Sequence, residues 1–295
     1  MALTAASITP EEMDRLQANY PRAFKRPWWE QARQWAVWSA LLAFVGYCLV
    51  RFDAAPGRIW DGLSELGVIL SAMVPPTFGA APSGLFWALL ESLTMAFLGT
   101  LTAALLAIPL GIMGARNIIP NWVFHFVLRR HFDGIRGIDP LVWALVYVRA
   151  VGLGPIAGTL AIATSDTGTL AKLYAEAIET ADSGQAEGVA ATGAGRSIVI
   201  RLGVLPQVLP VMLSNALYMF ESNTRSATIL GIVGAGGIGF ELSDRIRAHR
   251  WDEVGMIIIM IVVTVALIDG LSHLIRKRFI EGGKNRPLVR TDEAT

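Results

Sequence analysis

The sequence predicts an all-α, polytopic membrane protein with about six transmembrane helices. Hydrophobic residues make up 53% of its 295 residues and the mean hydropathy is +0.49. Charged residues make up 17%, whereas a soluble domain carries about 25%. The charges are concentrated between long apolar runs, which is the pattern of several membrane spans.

Composition also excludes several classes of function. A net charge of +1 gives no basic field for nucleic acid, so no nucleic-acid partner is expected. The single cysteine, Cys48, lies within an apolar run and excludes an intrachain disulfide and a thiolate zinc site.

The apolar runs divide the chain into six predicted spans. They lie at about 35–52, 85–114, 136–151, 155–181, 205–228 and 254–275. The third span ends at Gly152-Leu153-Gly154-Pro155, because proline lacks an N–H donor and glycine relaxes the backbone. The predicted organisation is therefore an N-terminal tail (1–34), a first helix (35–53), an outer segment (54–84), a core (85–278) and a C-terminal tail (279–295).

Lysine and arginine residues predict the orientation, because loops on the cytoplasmic side carry an excess of them. They are concentrated in the segments that lie inside if both termini are cytoplasmic: 1–34, 114–137, 182–204 and 276–295. The main exception is the predicted outer loop 240–253, which contains Arg245, Arg247 and Arg250.

Residues 186–206, AEGVAATGAGRSIVIRLGVLP, form a polar, glycine-rich stretch between two predicted spans. Small residues predict a short helix over Ala186–Ala194, with Glu187 near its start, where a carboxylate suits the helix dipole. Gly193 and Gly195 are expected to end it. Two interpretations remain open from the residues alone: a compact knob that another protein contacts, or a plain connecting loop.

The spacing of this stretch resembles the EAA loop of bacterial ABC-importer permeases. Glu187-Gly188-Val189 stands at the Glu-Ala-Ala position, Gly193 at the glycine and Leu205-Pro206 at the end. Gly188, Val189 and Gly203 replace the family's Ala, Ala and Ile. The resemblance implies a coupling helix at about 183–197 that docks on a cytoplasmic ATPase, through Glu187, Gly188, Ala190, Ala191, Thr192, Gly193, Ala194, Arg196 and Arg201.

Four further segments resemble phosphonate-type permeases. They are LAKLYAEAIE (170–179), EGVAATGA (187–194), PQVLP (206–210) and FESNTRSATILGIVGAGGIG (220–239), and the resemblance covers roughly 85–278. It implies a type I ABC-importer permease core of the MetI-like kind plus one extra N-terminal helix, in the bacterial inner membrane. It also implies a second permease copy, identical or paralogous, two ABC ATPase subunits, a periplasmic substrate-binding protein and a phosphorus oxyanion substrate. ATP and Mg would be bound by the ATPase, so no cofactor is expected in this chain.

The segment GAGGIG at 234–239 fits the dinucleotide pattern G-x-G-x-x-G. That function requires a soluble strand before it and a helix after it, and here a membrane span precedes it, so nucleotide binding is rejected. The resemblance places the segment at the periplasmic end of the pathway. A gate or hinge at Gly234, Gly236, Gly237 and Gly239 is one interpretation, and tight packing is the other.

Polar residues at membrane depth are costly and indicate transport pathways. Glu221 and Arg225 are four residues apart, so they are expected to pair on one helix face. Ser165-Asp166-Thr167 is expected to cap a local helix break or to line a cavity, and Asp269 and His273 to form a local pair. The candidate pathway residues are Arg149, Ser165, Asp166, Glu221, Asn223 and Arg225.

Other functions compete with that of a phosphonate importer. The same kind of permease could carry phosphite, hypophosphite, phosphate or an amino acid. An ATP-independent secondary transporter would show internal repeats, and none is visible. A membrane enzyme is disfavoured because the sequence contains neither H-E-x-x-H nor G-x-S-x-G.

Overall fold

A computed structural model describes residues 28–80 and 82–284, together with Asp14. All regular secondary structure in these residues is helical, which confirms the predicted all-α class. The chain divides into two compact units, residues 1–69 and 70–295. Most of the two predicted tails, residues 1–27 apart from Asp14 and residues 285–295, lies outside the described residues.

From residue 28 onward, the first unit contains two helices. Helix α1 spans Trp28–Arg51, and its 24 residues give a length of about 36 Å, enough to cross a bilayer. Helix α2 spans Pro56–Ala72 and ends just inside the second unit, so the segment predicted at 54–84 is largely helical. Between the helices, Arg58 pairs with Asp53 at 2.5 Å.

The second unit contains nine helices among the described residues. They are α3 (Pro82–Gly114), α4 (Trp122–Arg136), α5 (Pro140–Val151), α6 (Pro155–Glu179), α7 (Ser183–Ala191), α8 (Arg196–Val199), α9 (Leu205–Leu230), α10 (Gly237–Arg247) and α11 (Trp251–Lys284). Short π-helical segments, Ile200–Val204 and Gly231–Ala235, flank α9.

Each predicted span has a matching helix. In the part of the chain that the structure describes, four helical runs are long and apolar enough to cross a membrane: Trp28–Arg51, Pro82–Gly114, Arg196–Ala235 and Trp251–Arg278. Helix α5 is apolar but has only 12 residues. Helix α6 has 25 residues and is less hydrophobic, because many of its residues are small or polar and face the protein interior. The chain is thus a multi-pass membrane protein.

Helix α6 is the centre of the second unit and packs against α3, α4, α5 and α9. Its contact with α3 depends on small residues. A β-carbon at Gly99 would lie 2.7 Å from Ile162, and one at Gly111 would lie 2.7 Å from the β-carbon of Tyr174. Small residues let membrane helices approach closely, so van der Waals packing and hydrogen bonds can hold the bundle together within lipid.

One local prediction is wrong, and for a second the structure excludes one of two alternatives. Helix α7 begins at Ser183, because the Oδ1 of Asp182 accepts a hydrogen bond from the Gly184 N–H and caps the helix there. Glu187 is therefore the fifth residue of α7 rather than near its start. Helix α6 continues unbroken through 165–167, where Thr167 donates to the Ala163 carbonyl, so these residues do not cap a break.

Candidate functional site

The segment 182–205 projects from one end of the bundle, between α6 and α9. No residue of α7 is buried, and Glu187 and Gly188 are exposed. No atom lies within 4 Å of a β-carbon built on Gly188. The exposed surface of α7 is consequently thin and open to another protein.

One side chain, Gln207, fixes the residue before α7 to the start of α9. Gln207 accepts from the Asp182 N–H at 3.0 Å and donates to the Gly203 carbonyl at 2.6 Å and the Asp182 carbonyl at 3.2 Å. Below α7, the backbone of Gly203 comes so close that a β-carbon there would lie 2.9 Å from the Cα of Ala186. A displacement of α7 must therefore be felt at the first turn of α9.

Two hydrogen bonds hold the loop between α3 and α4, one from the segment 182–205 and one to the end of α6. Arg196 donates to the Ile118 carbonyl, and Asn117 donates to the Ile178 carbonyl at 2.8 Å. Between them lies a groove of about 370 Å³, whose polar lining includes Asn117, Glu179, Asp182, Glu187 and Arg196. Arg201, the other predicted cation of the segment, is exposed.

Glu179, at the end of α6, contacts several basic residues of this region. Its carboxylate accepts from the Arg116 N–H at 2.8 Å and from Arg129 at 2.9 Å. The Nε2 of His125 lies 3.5 Å from Glu179, too long for a normal hydrogen bond, and the side chain is only 3% exposed. Burial, followed by the charges of Arg129 and Arg116, lowers the pKa of His125, and Glu179 offsets this only in part.

Within the bundle, the structure brings three of the predicted pathway residues into its packed interior. Asn223 on α9 donates to Asp166 on α6 and, at 2.8 Å, to Thr100 on α3. Asp166, Asn223 and the neighbouring Ser165 are 4–6% exposed. Asp166 and Asn223 thus form a buried polar link among three helices.

Two of the remaining charged candidates, Glu221 and Arg225, lie on α9 and contact charged residues of α11. Glu221 pairs with Arg276 at 2.9 Å, and Arg225 lies 3.4 Å from Asp269 and 4.0 Å from Glu221. The predicted pair within α9 is therefore a minor contact in a network of four charges. The local pair predicted for Asp269 and His273 is replaced by the contact of Asp269 with Arg225 across two helices. Arg149 is separate from this network, exposed in the last turn of α5.

The glycine segment forms a tight turn at the opposite end of the bundle from α7. Gly234, Gly236 and Gly237 have φ values of +99°, +81° and +69°, a conformation that side chains with a β-carbon disfavour. The carbonyl of Gly234 accepts from the Gly154 N–H at 3.0 Å, and Ser92 accepts from the Ile238 N–H at 2.9 Å. A β-carbon at Gly239 would collide with the Thr228 carbonyl. Close packing and the backbone conformation therefore explain why glycines occupy these positions. The function of this turn as a gate stays a proposal.

The sequence profile of the family described as "Binding-protein-dependent transport system inner membrane component" matches residues 107–281, which include α7, the charge network and the glycine turn. The chain belongs to this family. Solved structures of similar fold include the inward-facing MetNI methionine ABC transporter, with a TM-score of 0.58 and 21% identity over 66% of this chain and 95% of that one.

Three curated relatives of this family member are transport permeases. The phosphate-import permease protein PhnE of Mycolicibacterium smegmatis is 42% identical over 80% of this chain. The putative phosphite permease HtxC and the phosphite permease PtxC, both of Stutzerimonas stutzeri, are 38% and 33% identical over 80% and 88% of this chain. The matched region spans 45% of the mycobacterial relative's length, and 83% and 93% of the other two.

Several residues of these sites were not predicted from the sequence. Thr100, Asn117, Gln207 and Arg276 carry long-range hydrogen bonds or ion pairs. For Gln207 a signal existed, since it follows Leu205-Pro206 at the start of a helix. The contact between Asn223 and Thr100 joins residues 123 positions apart, and no local pattern encodes it.

Proposed function

We propose that this chain is the membrane-spanning permease subunit of an ATP-driven importer, and that it carries a phosphonate-like phosphorus oxyanion. The observation that carries the proposal is the segment 182–205, which exposes the short helix α7 and is hydrogen-bonded to the start of α9 and to the loop between α3 and α4. The relatives' names, which specify phosphate and phosphite, support the class of substrate.

Helix α7 is proposed as the coupling helix that docks on a cytoplasmic ATPase. Force on α7 has two routes into the bundle. One runs through Asp182 and Gln207 to the first turn of α9. The other runs from Arg196 through the Ile118 carbonyl to the loop that joins α3 and α4. Both routes reach helices that carry the polar residues at membrane depth.

The proposed partners follow from this arrangement. Two copies of the permease, identical or paralogous, would enclose the pathway, and a periplasmic binding protein would deliver the substrate. Two ATPase subunits would bind ATP and Mg and hydrolyse ATP, so this chain would be no enzyme. Ligands act through their different affinities for the inward-facing and outward-facing states.

Both termini are proposed to be cytoplasmic. The arginines of residues 240–253 oppose this orientation, and two of them form ion pairs within the same stretch. Arg245 pairs with Glu241 at 2.7 Å and with Glu253 at 2.9 Å, and Arg250 also pairs with Glu253. The glycine turn then lies at the periplasmic end, where it would act as a gate or hinge.

The function is tested by reconstituting the permease in proteoliposomes with its ATPase and binding protein. Uptake and ATP hydrolysis are measured with methylphosphonate, phosphite, hypophosphite, phosphate and methionine. Stimulation by one phosphorus oxyanion supports the proposal and identifies the cargo. Stimulation by methionine alone would overturn the substrate class, and uptake that persists without ATP would favour a secondary transporter.

The docking of α7 is tested separately by Gly188→Arg. The position is open and its backbone does not require glycine, so the arginine obstructs a docked partner without straining the permease. We expect ATP-dependent uptake to be lost while membrane insertion and thermal stability persist. Gly188→Ala is the matched control, with uptake retained. Normal uptake in Gly188→Arg would contradict docking at this surface.

A further inference from the structure

The four charges on α9 and α11 form an alternating row that is closely paired at one end and loosely paired at the other. Arg276 and Glu221 are 2.9 Å apart, and their side chains are 27% and 16% exposed. Arg225 and Asp269 are 3.4 Å apart, and their side chains are 48% and 40% exposed. Charge-assisted hydrogen bonds of nitrogen to carboxylate are normally about 2.7–2.9 Å long, so only the first pair is fully formed.

Arg225 is therefore a cation at membrane depth whose hydrogen-bonding capacity is largely unused. One of its terminal nitrogens lies 3.4 and 3.5 Å from the two oxygens of Asp269, and the other lies 4.0 Å from Glu221. A guanidinium carries five N–H donors in a planar fork that matches an oxyanion. The two arginines and two carboxylates of the row sum to zero charge. An added anion can therefore bind Arg225 without the strong attraction that a net positive site would exert.

Arg225 also lies on a polar stripe of α9. Tyr218 lies about two turns before it on the same face and is exposed, and Ser222, one turn before it, is partly exposed. Charged and polar side chains in membrane helices face a partner or a water-filled cavity rather than lipid. This stripe gives an oxyanion further hydrogen-bond donors beside the guanidinium.

We infer that Asp269 is a displaceable counter-ion: it holds Arg225 in the empty permease, and the oxyanion substrate takes its place during transport. Arg276 positions the site, because it engages Glu221 and keeps that carboxylate from occupying Arg225. The exchange of one anion for another around Arg225 explains how the site binds an anionic cargo weakly enough to release it. This inference rests on the proposed function, since it requires an anionic substrate.

The inference predicts that neutralising two members of one network changes the KM of uptake in opposite directions. In Asp269→Asn the competitor of the substrate is removed, and KM falls about fivefold, the factor that a half-exposed ion pair is worth. In Arg276→Gln the released Glu221 moves onto Arg225, and KM rises. Arg225→Gln loses oxyanion uptake, and Arg225→Lys retains part of it.

The experiment measures KM and kcat for oxyanion uptake in proteoliposomes, with thermal unfolding of each purified variant as the control for folding. His273→Asn is the matched control, since His273 is exposed and lies one turn from Asp269 on the same helix. A network that only locks α9 to α11 would lower kcat and stability in both Asp269→Asn and Arg276→Gln, with KM unchanged. In that case the double variant Arg225→Asp with Asp269→Arg, which exchanges the two charges, would restore both stability and uptake.

Those outcomes overturn the counter-ion role and leave the proposed function intact, provided that the wild-type permease takes up the oxyanion with ATP. If the wild-type permease, with its partners, takes up no phosphorus oxyanion, the proposed function itself fails, and the counter-ion role fails with it. Opposite shifts of KM in the two variants, with stability preserved, support the inference.

Discussion

Gly203 and Ala186 are in such close contact that neither the short helix α7 nor the turn below it has room to move independently. A β-carbon at Gly203 would lie 2.9 Å from the Cα of Ala186 and 3.4 Å from its nitrogen. The EAA-loop pattern has isoleucine at this position, so the chain departs from the pattern where α7 is closest to the start of α9. The missing side chain allows the contact.

Gly203→Val is accordingly expected to separate α7 from α9. The new side chain meets backbone atoms that cannot rotate away, and overpacking of this kind costs about 1–3 kcal/mol. We expect ATP-dependent uptake to fall strongly and the thermal unfolding temperature to fall modestly. Gly188→Ala is the control, because that position is open. Equal uptake in the two variants would show that the contact does not transmit force.

Gly193 follows the end of α7, and a glycine suits this position for a different reason. Its φ is +79°, while no atom lies within 4 Å of a β-carbon built there, so any cost of substitution comes from the backbone. A left-handed conformation costs roughly 1–2 kcal/mol for residues with a β-carbon and less for asparagine. Gly193→Asn is expected to retain most of the uptake and Gly193→Val to lose more, with α7 more susceptible to proteolysis. If the two variants behaved identically, the effect would come from the added side chain on the docking surface and not from the backbone conformation.

The sequence predicted the membrane spans well because a bilayer requires about 20 apolar residues per span, and that requirement is local. It did not predict α2, α4 and α10, which lie between the spans. It predicted the break at 152–155 and the helix start at Leu205 because proline and glycine act on their own backbone. It was wrong about the partner of Asp269. A neighbour four residues away is visible in the sequence, but the position of Arg225 depends on how α9 packs on α11.

The buried link between Asn223 and Asp166 leads to a prediction about stability. Asn223→Ala leaves the Asp166 carboxylate in the packed interior without the amide that donates to it. The loss of a hydrogen bond to a charged group costs about 1.5–3 kcal/mol. The double variant Asn223→Ala with Asp166→Ala should be destabilised by less than the sum of the two single variants, because the unpaired carboxylate is gone. Additive changes in unfolding free energy would show that the two side chains are not coupled.

The lowered pKa of His125 leads to a prediction of how the stability of the protein depends on pH. Burial and the nearby arginines lower its pKa below the usual value of 6.5, so the folded protein keeps this imidazole neutral to a lower pH than the unfolded chain does. Its contribution to stability is present above pH 6.5 and is lost as the pH falls through the lowered pKa. We expect the unfolding temperature of the wild-type protein to drop between pH 7 and pH 5, and His125→Asn to reduce that drop. His131→Asn, on the same helix but exposed, should behave as the wild-type protein does. If His125→Asn and the wild-type protein show the same pH dependence, the buried imidazole is not the group that titrates.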